Sequence, residues 1–157
     1  MKEGTKIEEL LNKMATYCVA AERCKQDVEK KLEKWDLTEE EIQSILNALI
    51  KDNFINESRY AAAYTNDKYK FSKWGRRKIA QNLYMKRIDN DLIQEALEQI
   101  DNDIYQSNLK SILETKRRSI KASNAFEFNQ KLARFAIGRG FDYSEVIQIL
   151  PSLEDYY

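Results

Sequence analysis

Between residues 58 and 87, nine Lys and Arg stand against a single acid, Asp67. Lys68, Lys70, Lys73, Arg76, Arg77, Lys78, Lys86 and Arg87 are interleaved there with Tyr64, Tyr69, Phe71, Trp74 and Tyr84. Cations neutralise phosphates and aromatic faces stack on bases, so the block fits a nucleic-acid surface. The plainer reading weighs equally. At helical spacing most of these aromatics can fill a core, and the cations can be solvated or paired with the acidic stretch at 89–103. The candidate partner-binding residues are Lys70, Lys73, Trp74, Arg76, Arg77, Lys78, Lys86 and Arg87. A second cluster, Lys116, Arg117, Arg118 and Lys121, has no interleaved aromatics and reads as a solvated helix end, where cations complement the dipole.

Other chemistries are poorly supplied. The chain contains no His, which removes Ser-His and Cys-His catalysis, His-metal ligation and the usual proton shuttle at neutral pH. Two cysteines without His, Cys18 and Cys24, are too few for a zinc site and read as small buried helix residues. No Gly-rich phosphate loop is present. The carboxylates fall in helix first turns, where they complement the dipole. No catalytic residue, metal or cofactor is expected, and a carboxylate hydrolase is the weakest of three functional classes.

The elements that position these residues follow from a threefold echo anchored on Leu37, Ile88 and Phe141, about 50 residues apart. Five residues after each anchor stands Ile42, Ile93 or Val146; nine after, Leu46, Leu97 or Leu150; twelve after, Leu49, Ile100 or Leu153. The fifth residue before each is Leu32, Leu83 or Ala136, and the ninth is Val28, Ile79 or Leu132. Spacings of three to four follow the period of an α-helix, so each unit holds two short helices joined at its anchor. The residue before the anchor, Asp36, Arg87 or Gly140, is placed to end the first helix in a left-handed conformation. Thr38 with Glu41, Asp89, and Asp142 with Glu145 are placed to cap the second helix.

A longer helical stretch precedes each pair, at Thr5 to Glu22, Glu57 to Phe71 and Asp103 to Lys121. Thr5 with Glu8, and Asn56, are candidate caps. Pro151 is expected to kink the last helix near its end. The expected fold is all-α: three tandem three-helix repeats at 1–52, 53–102 and 103–157, about nine helices, in an elongated, curved, right-handed or solenoid-like array.

Charge is patterned although its total is zero, with 26 Lys and Arg against 26 Asp and Glu. Residues 1–57 carry an excess of acids, 58–87 of bases, 88–104 of acids, 105–140 of bases, and the rest of acids. No apolar run approaches a membrane span and the N-terminus does not read as a signal peptide, so a cytoplasmic protein is expected, with no membrane partner.

The segment 49–66, L-I-K-D-N-F-I-N-E-S-R-Y-A-A-A-Y-T-N, resembles the "L-x-x-x-G-h-h-D-[DE]-x-R-[FY]-A" segment of the RecX regulatory proteins of bacteria. Residues 75–88, G-R-R-K-I-A-Q-N-L-Y-M-K-R-I, are similar to that family's "G-x-x-x-[IL]-x-x-x-L-x-x-K-G-[IV]". Arg139-Gly140-Phe141 resembles the R-G-F of its third repeat. Asn53 and Arg87 stand where the family has Gly, Asn56 where it has Asp, and Cys24 where Ser is common.

The resemblance implies tandem three-helix repeats without catalytic residues. It also implies a protein that binds the RecA recombinase filament, lies along its groove and suppresses its ATPase, strand-exchange and coprotease activities; a monomer is expected. That is a place in homologous recombination, DNA repair and the SOS response. The basic middle repeat then contacts acidic filament surface or, as a second partner, the DNA held within it. Near-zero net charge argues against strong affinity for free DNA and favours protein contact. An independent DNA-binding module of tandem three-helix units is the alternative.

Overall fold

The computed structural model describes the backbone of residues 3–154 and the side chains of residues 6–150. Within them are nine helices and no strand. They are α1 (Glu3–Ala20), α2 (Lys25–Leu32), α3 (Glu39–Lys51), α4 (Glu57–Lys70), α5 (Arg76–Met85), α6 (Asn90–Glu98), α7 (Asn102–Arg117), α8 (Ala125–Gly138) and α9 (Tyr143–Glu154). They form three successive three-helix units, as the apolar echo requires. All the echo positions with described side chains are buried except Leu37 and Ile42, which pack half-buried against the first unit's core. Leu153 lies outside the described side chains.

Local chemistry sets most boundaries. Thr38 and Glu41 form a reciprocal capping box, with the Thr38 hydroxyl accepting from the Glu41 amide and the Glu41 carboxylate from the Thr38 amide. The Asn56 side chain accepts from the Arg59 amide to open α4, and Glu145 accepts from the Asp142 amide. Two expected caps are corrected: Asp89 makes no side-chain capping bond, and α1 already runs from Glu3, so Thr5 lies inside it. α9 continues through Pro151 to Glu154.

The joints divide two to one. Arg87 (φ 62°) and Gly140 (φ 100°) are left-handed, and the Ile88 and Phe141 amides reach back to the Leu83 and Ala136 carbonyls. Asp36 is not left-handed among the described residues, which corrects the expectation for the first unit. There α2 stops at Leu32, five residues before the anchor, and the Trp35 and Leu37 amides bond to the Leu32 and Trp35 carbonyls. A tight non-helical turn thus spans the gap, and Asp36 avoids the steric cost of the left-handed state. Asn53 (φ 62°) ends α3 where the motif has Gly.

Apolar burial is uneven along the chain. The first unit has its own core, Leu10 and Met14 packing with Val28, Leu32, Ile45, Leu46 and Leu49. The second and third units share one continuous core from Tyr60 to Leu150, which Cys24 enters from the first. Backbone interlocks that shared core: the Gly75 amide donates to the Arg139 carbonyl at 2.8 Å and the Arg77 amide to the Gly140 carbonyl at 3.0 Å.

Candidate partner-binding surface

The cations singled out in the sequence cluster at the start and end of α5, but many are already engaged. α5 opens at Gly75, which has no side chain to cap it, and its first turn carries bases rather than acids. That arrangement opposes the helix dipole. The starts of α7 and α9 supply what is missing. The buried Tyr105 hydroxyl accepts from the Arg76 amide at 2.9 Å, the Arg76 guanidinium bonds Asn102 Oδ1 at 2.7 Å and approaches Glu145 at 3.6 Å, and Arg77 approaches Asp142 at 3.4 Å. Burial pushes the Tyr105 phenol up to about 12, the Arg76 amide partly offsetting it, so at neutral pH the hydroxyl stays protonated.

Lys86, at the other end of α5, pairs with Asp27 of α2 at 3.1 Å. Burial alone raises the Asp27 carboxyl, but the Cys24 amide and the Lys86 ammonium outweigh it and hold the pKa below its ordinary value. Conversely, burial lowers the Lys86 ammonium while Asp27 raises it further, so it titrates above the usual lysine value. Lys73 is left-handed at φ 55° and donates to Ser111 Oγ at 3.0 Å.

Five of the seven ion pairs among the described residues join different units: Lys25–Glu57, Arg59–Glu22 and Lys86–Asp27 link the first to the second, and Arg76–Glu145 and Arg77–Asp142 the second to the third. Four of these five also join charge blocks of opposite sign, all but Lys25–Glu57, so the alternating blocks help fasten one unit to the next. The acidic helix that follows the basic block supplies none of these partners, contrary to the plainer sequence reading.

Lys70, Lys78 and Arg87 remain without an ion pair among the described residues. Lys70 and Arg87 are exposed, and the Lys78 ammonium sits 4.4 Å from the Trp74 ring centre. Trp74 is half-buried, edge-on to Tyr64 and also faced by Lys68. The interleaved aromatics split likewise: Tyr69 is core, whereas Phe71 is 78% and Tyr84 75% exposed.

Met85, beside Tyr84, is 72% exposed, and the two line a shallow apolar groove with Ala80, Gln81, Asn90 and Ile93. Sequence reasoning passed over Met85, which in the helical pattern looks like any other apolar residue.

No group of three or more His, Cys, Asp or Glu among the described residues could hold a metal ion. Cys18 and Cys24 are free thiols whose pKa burial raises, keeping them protonated and unreactive. Among the described residues no helix is long and apolar enough to cross a membrane.

Known proteins resemble most of this chain. Family models described as "RecX, second three-helix domain" and "RecX, third three-helix domain" match residues 56–97 and 103–150, together more than half of the sequence. A "Regulatory protein RecX" of Bacillus cytotoxicus is 28% identical over 127 residues, 81% of this chain and 47% of that protein. One from Clostridioides difficile is 26% identical over 145 residues, 92% of this chain and 68% of that protein. The chain thus spans about half the length of its Bacillus relatives. The crystal structure of RecX from Lactobacillus salivarius superposes with a TM-score of 0.82 at 25% identity, covering 96% of this chain and 98% of that one. With consecutive three-helix domains of one family matched over more than half of the sequence, the chain belongs to the RecX family of regulatory proteins.

Proposed function

We propose that this chain is a regulator that binds the RecA recombinase filament on DNA, as a cytoplasmic monomer, and inhibits its ATPase, strand-exchange and coprotease activities. Membership in a family of regulatory proteins carries the reading. A run of three like units, with boundaries near 1–52, 53–102 and 103–157, also suits a partner that itself repeats. Several weak contacts then act together, each raising the effective concentration of the next.

Within the middle unit, Arg87, Tyr84 and Met85 are the natural contact group. An exposed Tyr and Met beside an unpaired Arg have the composition of an interface centre rather than of a solvated face. Lys70, Lys78 and Trp74 are further candidates, on α4, α5 and the loop between them. Arg76, Arg77, Lys73 and Lys86 contribute by holding the units in register, and their charges reach a partner only in part. Cosedimentation of this protein with preformed recombinase filaments tests the reading. Tyr84→Ala combined with Arg87→Ala is expected to leave the melting temperature almost unchanged and to weaken capture at least tenfold. Wild-type capture by that variant would move the contact to another unit, and no capture of the wild-type protein would overturn filament binding.

A further inference from the structure

A groove at the junction of the second and third units holds a charge arrangement that the ion-pair network leaves unanswered. It encloses a space of about 450 Å³, within the size range of ligand sites. Three cations, Lys73, Lys116 and Arg139, converge there with the hydroxyls of Ser72, Ser111, Thr115 and Ser119, and none of the lining residues is an acid. Lys116 and Arg139 both stand over the Phe135 ring, at 5.0 and 5.2 Å from its centre, and have no carboxylate partner among the described residues.

One bland explanation is available. α4, α7 and α8 end beside this groove, at Lys70, Arg117 and Gly138, and cations complement helix C-termini. Each helix end carries roughly half a negative charge, so three ends answer only about half of three full positive charges. The surplus favours an anion. The Ser119 hydroxyl is spent on the Lys116 carbonyl and Ser111 accepts from Lys73, which leaves the hydroxyls of Ser72, Ser111 and Thr115 as donors of the kind phosphate oxygens accept from beside cations. Phe71, the residue before Ser72, is 78% exposed, an aromatic face against which a base can stack.

We infer that this groove binds a phosphate group of a single nucleic-acid strand, held by Lys73, Lys116 and Arg139 with Phe71 stacking an adjoining base. The inference stands on the groove alone and not on the filament reading, so its test omits recombinase. Anisotropy of a labelled oligothymidylate, titrated with the full chain at several salt concentrations, reports strand binding. Amide shifts on adding inorganic phosphate report the free anion.

Lys116→Ala with Arg139→Ala should weaken oligothymidylate binding at least tenfold and make the salt dependence shallower by about 0.7 for each phosphate no longer neutralised. Lys30→Ala with Lys51→Ala, which removes the same charge from the first unit, should change it less than about twofold. Phe71→Ala should cost about fivefold or more for the strand and leave the phosphate shifts unchanged. Because Phe71 is exposed, this variant keeps the test alive if the double variant melts early.

Equal losses in the groove and first-unit variants would reduce the effect to net charge and overturn the site. Absence of wild-type oligothymidylate binding at low salt would do the same. Unchanged strand affinity in Phe71→Ala, with phosphate shifts in the groove, would make it a site for free anions and overturn the strand assignment.

Discussion

Replacing Gly75 by Ala should separate the second unit from the third. A Cβ built there falls 2.1 Å from the Gly140 carbonyl carbon, 2.3 Å from its oxygen and 2.3 Å from the Phe141 nitrogen. All three are backbone atoms, so no side-chain rotation relieves the overlap and the two loops must move apart. That movement breaks the Gly75 to Arg139 and Arg77 to Gly140 hydrogen bonds, each worth about 1 kcal/mol net. Overpacking adds roughly 1 to 3 kcal/mol. The expected loss is about 3 to 5 kcal/mol, a large part of the 5 to 15 typical of a folded domain. At roughly 2 to 4 °C per kcal/mol for a chain of this size, the melting temperature should fall by about 6 to 20 °C, read by circular dichroism and by urea denaturation. Gly138→Ala is the internal control. Its Cβ meets nothing within 4 Å at the last residue of α8, and it should stabilise by about 0.4 to 1 kcal/mol. A loss below about 1 kcal/mol for Gly75→Ala, or similar effects of the two substitutions, would refute the interlock.

Three further outcomes are expected. Arg87→Gly should stabilise by at most about 1 kcal/mol, because Arg87 holds φ 62° and its side chain makes no ion pair among the described residues; clear destabilisation on a urea curve would mean that the Arg87 side chain makes a contact the fold requires. Leu83→Ala, in the shared core at 0% exposure, should cost roughly 2 to 5 kcal/mol, and an unchanged urea midpoint would show that the core is misassigned. Asp27 titrates below its ordinary 3.8, so its stabilising effect is complete above that pH and is lost as pH falls through its folded pKa. Lys86 titrates above 10.5, so its contribution is complete below that pH and fades as pH rises through the folded value. Asp27→Asn should therefore flatten the acid limb of a stability profile below about pH 4; an unaltered limb would show that the pair does not couple the first two units.

Much of the fold was legible in the sequence because it depends on local rules. Apolar residues at helical spacing identified the helices, and Gly140 and Arg87 occupy equivalent left-handed positions because both follow the same helix register. Asp36 broke the pattern because α2 stops early, and the apolar anchor at Leu37 carries no trace of where the preceding helix ends. Asp89 had the right residue type for a cap but makes no capping bond. The candidate surface was less legible. Which cations are free depends on partners far away in sequence, such as Asp27 for Lys86 and Glu145 for Arg76, and linear charge counts are blind to such pairings. Lys116 read as a solvated helix end because its neighbours in the groove, Lys73 and Arg139, come from other parts of the chain.

Restraint of a recombinase is the function proposed for this chain. Its most direct test is the DNA-dependent ATPase rate of the cognate RecA on single-stranded DNA, followed as this protein is added. The rate is expected to fall with added protein to a low plateau, and Tyr84→Ala combined with Arg87→Ala is expected to shift the inhibition to at least tenfold higher concentrations. A rate unchanged by saturating wild-type protein would contradict it.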